Sequence, residues 1–195
     1  MLAPMLAPRV LVALVFGGLA LGSLSAPLAA APQQTEVVSL DKNGLPAALE
    51  SSRPQVSEDG RWVVFASTDP DLVDNDTNGA SDVFVRDRVL GTTRRLSVRS
   101  NGNQANGGST RPSISADGRF VVFQSDASNL VGSDDNDLTD IFLHDRDNNA
   151  DGILDDSFLV TKLTAGGGGG GANGTSTRPR ISASGRSVVF ESDAT

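Results

Sequence analysis

The stretch from Asp145 to Asp156, DRDNNADGILDD, concentrates the residues best suited to chemistry. Asp147, Asn149 and Asp151 alternate, Gly152 follows, and Asp155 and Asp156 close the run. A calcium ion takes roughly six to eight oxygen ligands. Alternating side-chain oxygens, a glycine that permits a sharp turn and the main-chain carbonyl of Ile153 suit that demand. The spacing predicts a structural Ca²⁺ held by Asp147, Asn149, Asp151, Ile153, Asp155 and Asp156. The competing reading is a solvated hairpin tip in which Asp and Asn act as turn formers. A second acidic run, DNDTNGASD, places Asp74, Asp76, Asn78, Gly79 and Asp82 at related spacing. Its counterpart GSDDNDLTD has Gly132 and Asp137 where the first has Asp74 and Gly79, so a capped turn explains the second run better.

Other reactive chemistry is scarce. The absence of Cys excludes disulfides, thiolate zinc sites and a thiol nucleophile. His144 is the only histidine, which rules out a two-histidine metal site. It is expected at a surface position of a strand, with no nucleophile and acid arranged around it for catalysis. Ser67, Ser125 and Ser192 read as hydrogen-bonding residues at strand ends. Asp82 and Asp140 read as structural acceptors of backbone N–H groups, and Arg53, Arg111 and Arg178 as partners of acids on a neighbouring unit. Trp62 is expected to be a partly exposed strand residue. With 16 Lys and Arg against 24 Asp and Glu, the net charge of −8 argues against a nucleic-acid partner. The chain is expected not to be an enzyme.

The elements that position these residues follow from an internal repeat. SRPQVSEDGRWVVFASTD from Ser52, TRPSISADGRFVVFQSDA from Thr110 and TRPRISASGRSVVFESDA from Thr177 align, with spacings of 58 and 67. DVFVRD from Asp82 answers DIFLHD from Asp140, and VSLDKNG from Val38 answers LSVRSNG from Leu96, both at 58. The nine extra residues of the longer spacing fall between Asp145 and Leu163, within the acidic stretch. Each repeat reads as four strands. The first is QVS, SIS or RIS, just after a proline that cannot sit inside a central strand. Asp-Gly, or Ser184-Gly185 in the third copy, is a hairpin signal because glycine adopts positive φ freely. WVVFAS, FVVFQS and SVVFES make the second strand. DVFVRD and DIFLHD make the third, and RRLSV and FLVTKLT the fourth. Gly166 to Gly171 form a linker-like loop tip. The fold class expected is all-β: a partial β-propeller of four-stranded antiparallel blades.

Residues 1–31 carry Arg9, an apolar run from Val10 to Leu24 and then SAPLAAAP. That order predicts a secretory signal peptide, and the run is short for a membrane span. Residues 32–195 would then be the repeat region, with blades starting near 52, 110 and 177 and the last one truncated. Localisation is expected to be periplasmic or extracellular.

The pattern P-x-[IV]-S-x-D-G-R-x-V-x-F-x-S, followed by D-[VI]-F-[VL]-x-D, resembles the TolB-like, WD-type propeller repeats of exported bacterial proteins. Pro54 to Ser67 with Asp82 to Asp87 carry it, as do Pro112 to Ser125 with Asp140 to Asp145, and in part Pro179 to Ser192. The acidic insertion resembles the first nine residues of an EF-hand or dockerin-type calcium loop, but Phe158 stands where the bidentate Glu belongs. The resemblance implies a non-enzymatic platform that binds a protein, peptide or glycan. The unpaired edges of a three-blade piece would allow self-association. The alternative is a truncated fragment of a propeller enzyme, a glycan lyase or hydrolase or a peptidase-associated propeller.

Overall fold

The computed structural model describes residues 12–15, 34–132, 134, 136–164 and 173–195. Of the expected leader only β1 (Val12–Val15) is among them, paired antiparallel with β2 (Gln34–Val37). The rest of the leader and the glycine run 166–171 lie outside the described residues.

The repeats fold as antiparallel sheets. β3 (Ser51–Val56), β4 (Trp62–Ser67), β5 (Asp82–Asp87) and β6 (Thr92–Arg95) form the first, in chain order. β7 (Ser109–Ile114), β8 (Phe120–Ser125), β9 (Asp140–Asp145) and β10 (Leu159–Leu163) form the second. β11 (Ser176–Ile181) and β12 (Val188–Ser192) form a two-stranded third. No helix occurs among the described residues.

The first strand of each sheet differs from expectation. It begins before the Arg-Pro pair and contains it. Ser52 lies opposite Ala66 but Gln55 lies opposite Val64, so one extra residue bulges from β3. The bulge accommodates a proline, which has no N–H to give to the ladder. Arg53 takes φ 54° there, and Arg111 and Arg178 repeat it at 54° and 55°. A left-handed non-glycine residue costs about 1–2 kcal/mol, so three repeats hold the same strained arginine.

Alternation along the central strands sets how sheets stack. In the first sheet Trp62, Val64, Val83 and Val85 face forward into a core shared with Val121, Phe123 and Phe142 of the second. Phe65 and Phe84 face backward onto Ala47, Leu72 and Val73. Their rings stack at 5.8 Å, and Phe123 and Phe142 repeat the pair at 5.9 Å. The first sheet thus offers valines to the second, which meets them with its phenylalanine pair. Both faces are covered, which is why every residue of β4 is buried. The hydroxyls expected at strand ends pair with one another: Ser51–Ser67 and Ser109–Ser125, both buried, at 3.1 and 2.8 Å, and Ser176–Ser192, partly buried, at 3.0 Å.

The first strand of each sheet lies against the first and second strands of the sheet before it. β3 lies against β7, and β7 against β11. Glu58 N–H donates to Ala116 O at 3.0 Å, and Ala116 N–H to Ala183 O at 2.9 Å. Ile114 N–H reaches Gln55 Oε1 and Ile181 N–H reaches Ser113 Oγ. The fourth strands β6 and β10 make no comparable contact.

Candidate functional site

The turn between β3 and β4 places Gly60 at positive φ, and the equivalent glycines Gly118 and Gly185 sit against the preceding sheet. A Cβ on Gly118 would overlap Trp62 Cδ1 and lie 3.0 Å from its Cγ. A Cβ on Gly185 would lie 2.5 Å from Phe120 Cδ2. Glycine is thus required for both its φ and its lack of a side chain. Each seam is a glycine turn seated on the ring that follows the preceding Gly-Arg.

The acidic insertion covers the first seam. Arg146 is fully buried, and its guanidinium lies 4.0 Å from the Trp62 ring centre, with Arg61 at 4.5 Å. Trp62 is therefore buried, with two cations against its ring, and not partly exposed as expected. Arg146 donates to both oxygens of Asp155, at 2.7 and 2.5 Å, and to Gly118 O at 2.6 Å. Asp155 holds φ 71°, and its N–H returns to Arg146 O at 2.7 Å. A cleft of about 620 Å³ remains beside this closure, lined in part by Trp62, Leu90, Arg94, Arg119, Ile153 and Leu154.

The predicted calcium ligands divide into two groups. Asp147, Asn149 and Asp151 come together in one turn. Asp147 accepts N–H bonds from Asp151 and Gly152 at 3.0 and 3.2 Å. Asp151 accepts from Ile153 N–H and Asn149 Nδ2, both at 2.8 Å. Asp155 turns away to Arg146, and Asp156 is exposed. Arg119 lies 3.7 Å from Asp147 and forms a two-armed pair with Asp145 at 2.7 and 2.8 Å. Burial works against the Asp145 charge, but Arg119 and the Asp147 N–H outweigh it and hold the carboxyl below its ordinary range. Among the described residues, no three His, Cys, Asp or Glu side chains are grouped so as to hold a metal.

The second acidic run shows the same principle. Asp76, Asn78 and Asp82 converge, while Asp74 lies out beside Lys42 at 3.4 Å. Arg95 stands 3.3 Å from Asp76. Asp82 accepts from Ser97 Oγ and, at 2.9 Å, from Asn78 Nδ2. In the second sheet Lys162 replaces Arg95, 2.7 Å from both Asp134 and Asp140. Burial opposes the ammonium, but the two carboxylates outweigh it and raise its pKa. Burial also pushes Asp82 and Asp140 up, against Ser97 and Lys162 respectively. The partners differ from the backbone N–H groups expected: Asp82 is held by the Ser97 hydroxyl and the Asn78 amide, and Asp140 by the Lys162 ammonium. Sequence reasoning missed these cations, although Arg95 and Lys162 occupy the same repeat position, 67 apart.

His144 is not at the surface. It is 2 % exposed, its Nδ1 lies 2.9 Å from Leu96 O, and its ring stacks on Phe158 at 4.9 Å. Burial, opposed by the Leu96 carbonyl, lowers its pKa to about 4. A neutral, enclosed imidazole holds the insertion to the sheet. Of the bulged arginines, only Arg178 meets an acid, Glu191 of its own hairpin at 2.6 Å. The expected pairing with acids of a neighbouring sheet is absent among the described residues.

No family model and no curated protein sequence matches the chain. A crystal structure of TolB from Acinetobacter baumannii is similar over 80 % of this chain and 40 % of that chain, with 16 % identity and a TM-score of 0.31. The chain thus spans less than half of that protein's length.

Proposed function

We propose that this chain is a propeller-type repeat protein that is exported and serves as a non-catalytic binding platform. The contacts between successive sheets carry the reading. The first strand of each sheet lies against the first and second strands of the one before, while the fourth strands β6 and β10 make no comparable contact, as expected of blades set around an axis. The repeat pattern's resemblance to TolB-like propellers agrees with that geometry. Export rests on the order of residues in the first 31 positions. The non-catalytic reading rests on how the candidate groups are used: His144 is enclosed and neutral, and the repeated serines bond one another.

For the acidic insertion the proposal is closure by arginine. Calcium at the predicted ligands would require Asp155 to leave the buried Arg146, whose uncompensated charge would be costly. A calcium titration with a thermal melt tests this directly: no saturable rise in melting temperature is expected. A saturable rise that Asp151→Ala abolishes would restore the metal reading.

The platform reading is tested by presenting the full chain to peptide and glycan arrays and recovering the bound material. Ligands released unchanged support it. Shortened or unsaturated products would show an enzyme instead.

A further inference from the structure

In a chain of net charge −8, the first strands gather positive charge. The bulge puts Arg53, Arg111 and Arg178 at the same place on β3, β7 and β11, which lie side by side, and Arg180 follows two residues on. Arg53, Arg178 and Arg180 are exposed and Arg111 is half-buried. Burial and then the charges of the other three arginines lower the pKa of Arg111, which places all four within one electrostatic neighbourhood.

The residue opposite the bulge decides how each arginine is compensated. It is Ala66 in the first sheet, Gln124 in the second and Glu191 in the third. Only Glu191 carries charge, and it already holds a carboxylate 2.6 Å from Arg178 Nη1. Gln124 turns its carbonyl oxygen to the Arg178 N–H at 3.1 Å. Among the described residues, no carboxylate lies within ion-pair distance of Arg53, Arg111 or Arg180. Strained backbone and like charges held together are unfavourable unless something binds them. The planar guanidinium fork matches the oxygens of phosphate and carboxylate groups.

We propose that Arg53, Arg111, Arg178 and Arg180 form a binding site for a multivalent oxyanion at the line where the first strands converge. The site deepens the platform reading and rests on the stacking of the first strands that supports it. Its recognised feature is closely spaced oxyanions, carried either by phosphates or by carboxylates.

Isothermal titration of the full chain with tripolyphosphate, and separately with citrate, tests the site and distinguishes the two sources. The main variant is Arg53→Asn with Arg111→Asn, because asparagine tolerates positive φ and keeps the bulge. Arg94→Asn with Arg99→Asn, two exposed arginines on and just after the far strand of the first sheet, is the charge-matched control. Saturable binding of one anion is expected, weakened about tenfold or more in the double variant, as for loss of charge-assisted hydrogen bonds. Arg111→Lys should retain part of the affinity. The proposal is overturned if neither anion binds, or if the double variant and the control lose affinity equally. A circular dichroism melt of each variant separates this failure from failure of the platform reading. An unchanged cooperative melt without anion binding would remove the site alone.

Discussion

The two seams between sheets use one device at two strengths. At the first, Gly118 sits on Trp62, and the guanidinium of Arg146, just after β9, lies 4.0 Å from the centre of the same ring. At the second, Gly185 sits on Phe120, which keeps only Arg119, at 4.7 Å, and is partly exposed. Arg146 follows β9 as Arg88 follows β5, 58 residues earlier, and both donate to the carbonyl of the turn glycine, Gly118 and Gly60. The third sheet has two strands among the described residues, so no third strand there carries a counterpart over Phe120. The acidic stretch adds Asp155, which neutralises Arg146, and leads into Phe158, which covers His144.

The sharpest way to break the comparison is Asp155→Ala. It leaves Arg146 buried without its carboxylate, and removing one partner of such a pair costs about 3–5 kcal/mol. Arg119→Ala, at a half-exposed pair beside the second seam, should cost about 1 kcal/mol. Urea unfolding of the two variants measures the gap, and equal losses would contradict the reinforcing role of the insertion.

A glycine series sharpens the same contrast. Gly118→Ala should cost about 3 kcal/mol, from overpacking against a buried ring held by two arginines plus positive-φ strain. Gly185→Ala should cost about 2 kcal/mol, because Phe120 has room to move. Gly60→Ala meets nothing closer than Arg88 Nη1 at 3.6 Å, so the strain of its φ of 73° remains, about 1 kcal/mol. Denaturant midpoints should fall in that order, and a different order would mean the rings do not define the seams.

His144 responds to pH. Its folded pKa of about 4 lies below the ordinary 6.5, so between these values the unfolded chain binds the proton and the folded one does not. Stability should therefore fall as pH drops from 6.5 to 4, by up to about 3 kcal/mol. Asp82 and Asp140, with raised values, act in the opposite sense. The equivalent position in the first sheet is Arg86, which bonds Thr93 instead. Melting curves of His144→Phe across that range should lose the slope, and an unchanged slope would place the titration elsewhere.

The repeat made much of the fold legible. The second strands of the first two sheets and the third strands matched their expected bounds, because alternation and β-branched residues act locally. The first strands did not, because proline was read as a boundary whereas the bulge carries it inside. The acidic loops were legible as turns, but their cations were not. Arg146, Arg95 and Lys162 reach Asp155, Asp76 and Asp134 only through tertiary packing. The burial of Trp62 and His144 was likewise hidden, because the insertion that covers them looks from sequence like an exposed tip.

The central claim, that the sheets radiate from joined first strands, is tested most directly by electron spin resonance distances. The chain has no cysteine, so labels can be placed without background. One pair belongs at Glu58 and Ala116, equivalent inner positions, and the other at Thr92 and Leu159, equivalent outer ones. The account predicts a markedly shorter inner distance. Equal distances would mean sheets stacked flat, roughly 10 Å apart along their whole width as in a sandwich, and would contradict it.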